Sequence, residues 1–150
     1  MNAVIRPDGW DFPLLLHVLG AMLLVGALIL AAASLLLAGR GGAPWLVRLG
    51  YRALLLGVLP AWVLMRAGGE WIASKEGLTD SSASWVQMGF TMADSGLMAI
   101  VVATVLAGLA ARRATGPRAS SGPRLVSGVL ASLLLVTYLV AVWAMTTKPG

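Results

Sequence analysis

Four long apolar stretches alternate with short polar ones along this chain, and its charges gather at the gaps and stretch ends. The stretches cover residues 12–39, 46–66, 88–111 and 125–145. A helix needs about 20 apolar residues to cross a bilayer core, so each stretch predicts a transmembrane helix. With no water in that layer, backbone groups must pair within each segment, which favours helices over open strands. The expected fold is all-α: one polytopic membrane domain, a four-transmembrane-helix bundle. The linking segments are then an external loop at 67–87 and cytoplasmic loops at 40–45 and 112–124.

The edges of the stretches refine this picture. Trp10 and Arg40 bracket the first as interfacial anchors. Gly41, Gly42, Ala43 and Pro44 predict a tight turn. Arg48 and Arg52 can snorkel from the second helix toward headgroups. Pro60 inside that helix removes a backbone donor and predicts a bend. Gly68-Gly69 predicts a loosened helix end, followed by a short interfacial helix over Glu70 to Lys75 with Trp71 and Ile72 dipping inward. The stretch from Leu78 to Ser84 reads as an exposed loop, and that from Arg113 to Pro123 as a flexible basic one. Tyr138 and Trp143 mark the outer end of the fourth helix.

Charge sets the orientation. The six acids, Asp8, Asp11, Glu70, Glu76, Asp80 and Asp94, all fall on one side of the predicted membrane. Arg40, Arg48, Arg52, Arg112, Arg113, Arg118 and Arg124 fall on the other, with no acid among them. Lysine and arginine near segment ends stay cytoplasmic, so both termini are expected outside. The net charge of +5 does not predict nucleic-acid binding, because seven of the eleven basic residues sit where they meet lipid headgroups. With 59% hydrophobic and 11% charged residues, the composition is far from that of a soluble domain. Cysteine is absent, which excludes disulfides and thiolate chemistry. Leu30 to Ser34 loosely resembles a signal cleavage site. Arg6 is offset by Asp8 and Asp11, however, so a retained first helix is expected.

Small residues suggest how the helices meet. Ser95, Ala99, Ala103, Ala107 and Ala111 recur every four positions on the third helix. Gly20, Ala27, Ala31, Ser34 and Ala38 lie near one stripe of the first. In lipid, close backbone approach drives association, so helices one and three are expected to touch.

Four ionisable residues fall at a similar depth. His17 lies 23 positions before Arg40 and Asp94 lies 18 before Arg112, roughly 35 Å and 27 Å of helix. Arg66 and Glu70 are spaced as an i,i+4 intramembrane polar pair. Ionisable groups in spans face protein or water, so each is a candidate site residue. His17 is either a buried histidine bonded to a carbonyl or to Asp94, or a ligand for a metal or haem cofactor, or a proton carrier. Asp94 is either a helix cap or a member of that site. Met65, Met88, Met92 and Met145 gather toward the same boundary. Thioether sulfur suits Cu(I), so His17, Met88, Met92 and Asp94 form a candidate metal set; core filling is the alternative for the methionines. No phosphate-cradling loop, nucleophile elbow or H-E-x-x-H occurs, and Ser95 points about 100° away from Asp94.

These residues also carry a resemblance. LLHVLGAMLLVGALI (Leu15 to Ile29), LPAWVLMRAGGEWIASKEG (Leu59 to Gly77) and VWAMTTKP (Val142 to Pro149) resemble a group of bacterial four-helix integral membrane proteins built on a domain of unknown function. The opening Leu15-Leu16-His17 with Gly20 is similar to the first helix of copper-resistance D-type membrane proteins, which carry more helices and further histidines. The resemblance implies a membrane fold of the bacterial cytoplasmic membrane and a ligand near His17. Three functions are expected to compete. One is a non-enzymatic accessory or assembly subunit with a membrane-protein partner. Another is a metal- or haem-associated protein aiding copper handling, and the last a transporter or channel subunit working as a homodimer.

Overall fold

The computed structural model describes residues 11–41, 43–75, 77, 84–114 and 121–146, without the side chains of 40, 41, 84–90 and 144–146. Asp8, Trp10, Gly42, Glu76, Asp80 and Arg118, and the loop cores at 78–83 and 115–120, lie outside the described residues. So do the side chains of Arg40, Met88 and Met145.

All regular structure among the described residues is helical. Helix α1 spans Asp11–Gly41. Helix α2 spans Pro44–Arg52, continues through a π-helical segment at Ala53–Val58, and runs on as α3 over Leu59–Lys75. Helix α4 spans Ser84–Arg113 and α5 spans Ser121–Thr146. Four rods, at Asp11–Gly39, Pro44–Lys75, Thr91–Arg113 and Ser121–Trp143, are long and apolar enough to cross a membrane.

Several helix boundaries differ from the expectation. The second rod starts at Pro44 rather than 46, because proline at the first helical position gives up only an N–H that has no partner there. It also runs unbroken past Gly68-Gly69 to Lys75, so the expected loop at 67–87 is helical at both described ends. Glu70 to Lys75 is thus the last turns of α3 and not a separate interfacial helix. Helix α4 begins at Ser84 rather than 88. Helix α5 begins at Ser121 rather than 125, with Pro123 accommodated in its first turn.

Pro60 acts through the π segment. The amide of Leu59 donates to the Leu54 carbonyl, five residues back, rather than four. Widening the turn relieves the crowding that a proline ring imposes on the carbonyl of the preceding turn. The extra residue in that turn rotates everything downstream, which decides where α3 aims its polar side chains.

The rods pack in chain order, each antiparallel to the next, and α5 returns to α1. Helices α1 and α4 are therefore diagonal, and α1 packs mainly against the second and fourth rods rather than, as the sequence predicts, against the third. Both small-residue faces are used against other partners. On α1, Gly20 meets the backbone of Met65, and Ala27 meets Gly57. On α4, Ala103 and Ala107 are fully buried, and the Ala103 carbonyl accepts a bond from Ser127 of α5 at 2.7 Å. A small-residue stripe selects a face for close approach but cannot name the neighbour.

Leu24, Leu28, Leu35, Leu54, Val58 and Ile100 fill the centre of the bundle. Leu23, Leu30, Leu56, Val102, Leu133 and Val136 face outward and exposed. An exterior as apolar as the interior suits a hydrocarbon solvent and would be an association liability in water.

The ends differ in charge. Asp11, Glu70 and Asp94, the described acids with placed side chains, lie at one end with residues 11 and 146. Arg48, Arg52, Arg112, Arg113 and Arg124 lie at the other. There Arg124 crosses to α1 and donates to the Leu35 carbonyl at 2.8 Å. Its guanidinium fills the notch left by Gly39, where a Cβ would meet Nη1 at 2.6 Å. A cation near the last turns of α1 also complements the helix dipole.

Candidate functional site

Helix α3 presents two working faces near the acid-rich end. Met65 and Gly68, three residues apart, point into α1; Trp62, Arg66 and Glu70, at four-residue spacing, point toward α4 and the rim.

On the first face, His17 Nδ1 lies 2.8 Å from the Met65 carbonyl oxygen. A carbonyl only accepts, so Nδ1 is the donor, and Nε2 is the ring nitrogen not used in this bond. The close approach depends on two glycines. A Cβ on Gly68 would fall 2.6 Å from the His17 amide nitrogen and 2.9 Å from the Pro13 carbonyl. One on Gly69 would fall 3.1 Å from Nδ1 itself. Gly68-Gly69 is thus a slot for the His17 turn of α1, where the sequence alone suggested a loose end.

On the second face, Arg66 holds two carboxylates. Its Nη1 lies 2.6 Å from Glu70 Oε1, the expected i,i+4 pair. Its Nε donates to Asp94 Oδ1 at 3.1 Å, across to α4. The guanidinium side chain is 19% exposed, against 60% and 62% for the two acids. One cation between two anions leaves the trio with a net negative charge, turned outward. The α3 and α4 backbones stand further apart here than α2 and α4 do at the other end. Long side chains bridge that gap: beside Arg66, the Trp62 indole donates to the Ala93 carbonyl at 3.0 Å.

The expected common level is present, since the adjacent residues Met65 and Arg66 receive His17 and Asp94. The four candidate metal ligands are not drawn together in the same way. His17 is bonded to α3 from the α1 side, whereas Asp94 is bonded to Arg66 from α4, on the diagonal helix. Met92 is half-buried on α4, and the Met88 side chain is outside the described residues. Among the described residues, no three His, Asp or Glu side chains converge as a metal-binding group. Asp94 lies three turns into α4, so it is an interhelical partner and not a cap.

Several hydroxyls of the spans are spent on backbone. Ser95 donates to the Thr91 carbonyl, Thr104 to Ile100, Ser132 to Gly128 and Thr137 to Leu133. The Tyr138 hydroxyl is buried in the notch of Gly96, with the indole of Trp62 close by.

A carbonyl partner for His17 was among the expected alternatives, without Met65 being named; the Trp62–Ala93 link and the Arg66–Asp94 pair were missed. A signal for the His17 approach was present in Gly68-Gly69, although from sequence alone the doublet reads as a loosened helix end. The fold and this cluster define an all-helical bundle with four membrane-length rods and a polar clasp at one end. Comparison with protein-family models, with curated proteins and with solved structures returns no match for this chain.

Proposed function

We propose that this chain is a small multi-pass protein of the bacterial cytoplasmic membrane, a non-enzymatic accessory or assembly subunit that acts through contacts with another membrane protein. Its arginine-rich end faces the cytoplasm and both termini face outward, as the retention of positive charge favours. One observation carries the reading: His17, Trp62, Arg66, Asp94 and Ser127 make bonds within the bundle, while the outward faces carry large apolar side chains. A nucleophile or proton donor needs a group free to meet substrate. Ser95, Thr104, Ser132 and Thr137 are bonded to their own helix backbone instead. The centre filled by Leu24, Leu28, Leu54 and Ile100 also disfavours a pathway through a single copy. Native mass spectrometry of gently extracted chain tests this. A second protein present at fixed stoichiometry supports the reading, and a clean monomer in mild detergent refutes it.

A second reading, metal or haem association near His17, is favoured by the ring geometry. A histidine that donates Nδ1–H to a carbonyl has its tautomer fixed and Nε2 prepared as a ligand. A Soret band or stoichiometric copper in purified chain, lost in His17→Ala, supports it. Metal content unchanged in that variant eliminates His17.

A further inference from the structure

We propose that the arginine-rich end holds one anionic phospholipid in an open groove between α2 and α4. The groove encloses about 580 Å³. Arg48, Arg52 and Arg112 line its outer part, and Leu55 and Val105 line it deeper toward the middle of the bundle. Helical rise puts Val105 roughly 10 Å below Arg112, about the distance from a headgroup phosphate to the upper acyl carbons.

Three features choose the occupant. Arg48 and Arg52 are one turn apart on α2, and Arg112 faces them from α4, so three cations converge on one space. Among the described residues, none of the three has a carboxylate partner, and the described acids lie at the opposite end. Converging guanidinium groups repel each other until an anion joins them, and their planar forks match phosphate oxygens. The deeper wall is apolar and exposed at Leu55, Val105 and Leu109, a surface that a free phosphate would leave unused but an acyl chain covers. Between the two levels lies Tyr51, its ring resting on Gly108, where a Cβ would meet Cε2 at 3.1 Å. An amphipathic ring at that height suits the boundary between headgroup and tail.

This inference rests on the membrane reading and not on the accessory one. It is tested on the full chain in mild detergent by native mass spectrometry, with equal amounts of dioleoyl phosphatidylglycerol and dioleoyl phosphatidylcholine. One retained phosphatidylglycerol is expected in preference to phosphatidylcholine. Arg112→Gln should weaken that retention about fivefold, as loss of one basic residue near an anionic lipid does. Arg113→Gln, next in sequence but outside the groove, should leave it unchanged. Equal retention of both lipids, or equal losses in the two variants, would overturn the site. Displacement of the lipid by millimolar inorganic phosphate would assign a soluble anion instead and overturn the lipid form; failure to displace it supports that form. Alkaline carbonate extraction of the source membranes reads insertion separately. A chain retained in the pellet but without lipid preference refutes this site alone, whereas a chain released by carbonate removes both readings.

Discussion

The imidazole of His17 and the carbonyl of Met65 are joined at 2.8 Å across α1 and α3, a bond made 48 residues apart in sequence. Each side prepares it for the other. Gly68 and Gly69 remove the side chains that would keep α1 away, and the π turn before Pro60 sets the rotation at which Met65 faces α1. The histidine is therefore a structural clasp whose second nitrogen is left over. That is why the accessory and ligand-binding readings share one residue.

Replacing His17 by Leu should cost about 0.5–1.5 kcal/mol, the net worth of one neutral hydrogen bond. The Met65 carbonyl stays within the helical ladder of α3 and is not orphaned, which keeps the loss small. Unfolding in mixed micelles, followed by tryptophan fluorescence, measures it. A wild-type midpoint in the variant would show that the bond contributes nothing.

Glycine substitutions separate contact from propensity. Gly20→Ala and Gly68→Ala put a methyl 2.4 Å and 2.6 Å from facing backbone nitrogens. Backbone cannot rotate away, so each should lose about 1–3 kcal/mol by overpacking. Gly26→Ala meets nothing within 4 Å and should be neutral or stabilising by up to ~1 kcal/mol, since alanine is the better helix former. The same micelle titration decides, and equal losses at all three positions would contradict the packing.

The four rods were legible because 20-residue apolar runs have few physical alternatives. The Arg66–Glu70 pair was legible because i,i+4 spacing is local. Asp94 as the third member was not, because its meeting with Arg66 depends on which helices are neighbours, and face periodicity does not encode that. The stripe at Ala103 and Ala107 marked a close contact correctly in kind, but its partner is α5 and not the first helix. Gly68-Gly69 misled for a physical reason. Glycine weakens an isolated helix, yet at a helix–helix contact its missing side chain is what stabilises the pair. Arg124 falls within the loop expected at 112–124, yet it lies in the opening turns of α5, because proline is tolerated in the first turn of a helix.

The Arg66 bridge makes a prediction that depends on salt. A double-mutant cycle with Arg66→Gln and Asp94→Asn should give a coupling of about 0.2–1 kcal/mol, because the carboxylate is 62% exposed. The coupling should shrink at high ionic strength, where exposed charges are screened. Arg66→Gln alone should cost more than Asp94→Asn alone, since it leaves two carboxylates, Glu70 and Asp94, without their shared cation. The reverse order would mean that the bridge is not what ties α3 to α4.

The chain has no cysteine, so single introduced thiols can report its orientation without background. Lys75→Cys lies at the end of α3; Arg113→Cys and Ser121→Cys lie at the facing ends of α4 and α5, and all three positions are exposed. A membrane-impermeant maleimide added to intact cells should label position 75 at once and positions 113 and 121 only after permeabilisation. Labelling of 113 and 121 but not 75 would invert the orientation and leave the bundle intact. A disagreement between 113 and 121 would be more serious. The contacts of Ser127 with Ala103 and of Arg124 with Leu35 fix the start of α5 beside the end of α4, so no single insertion of this fold could separate the two positions.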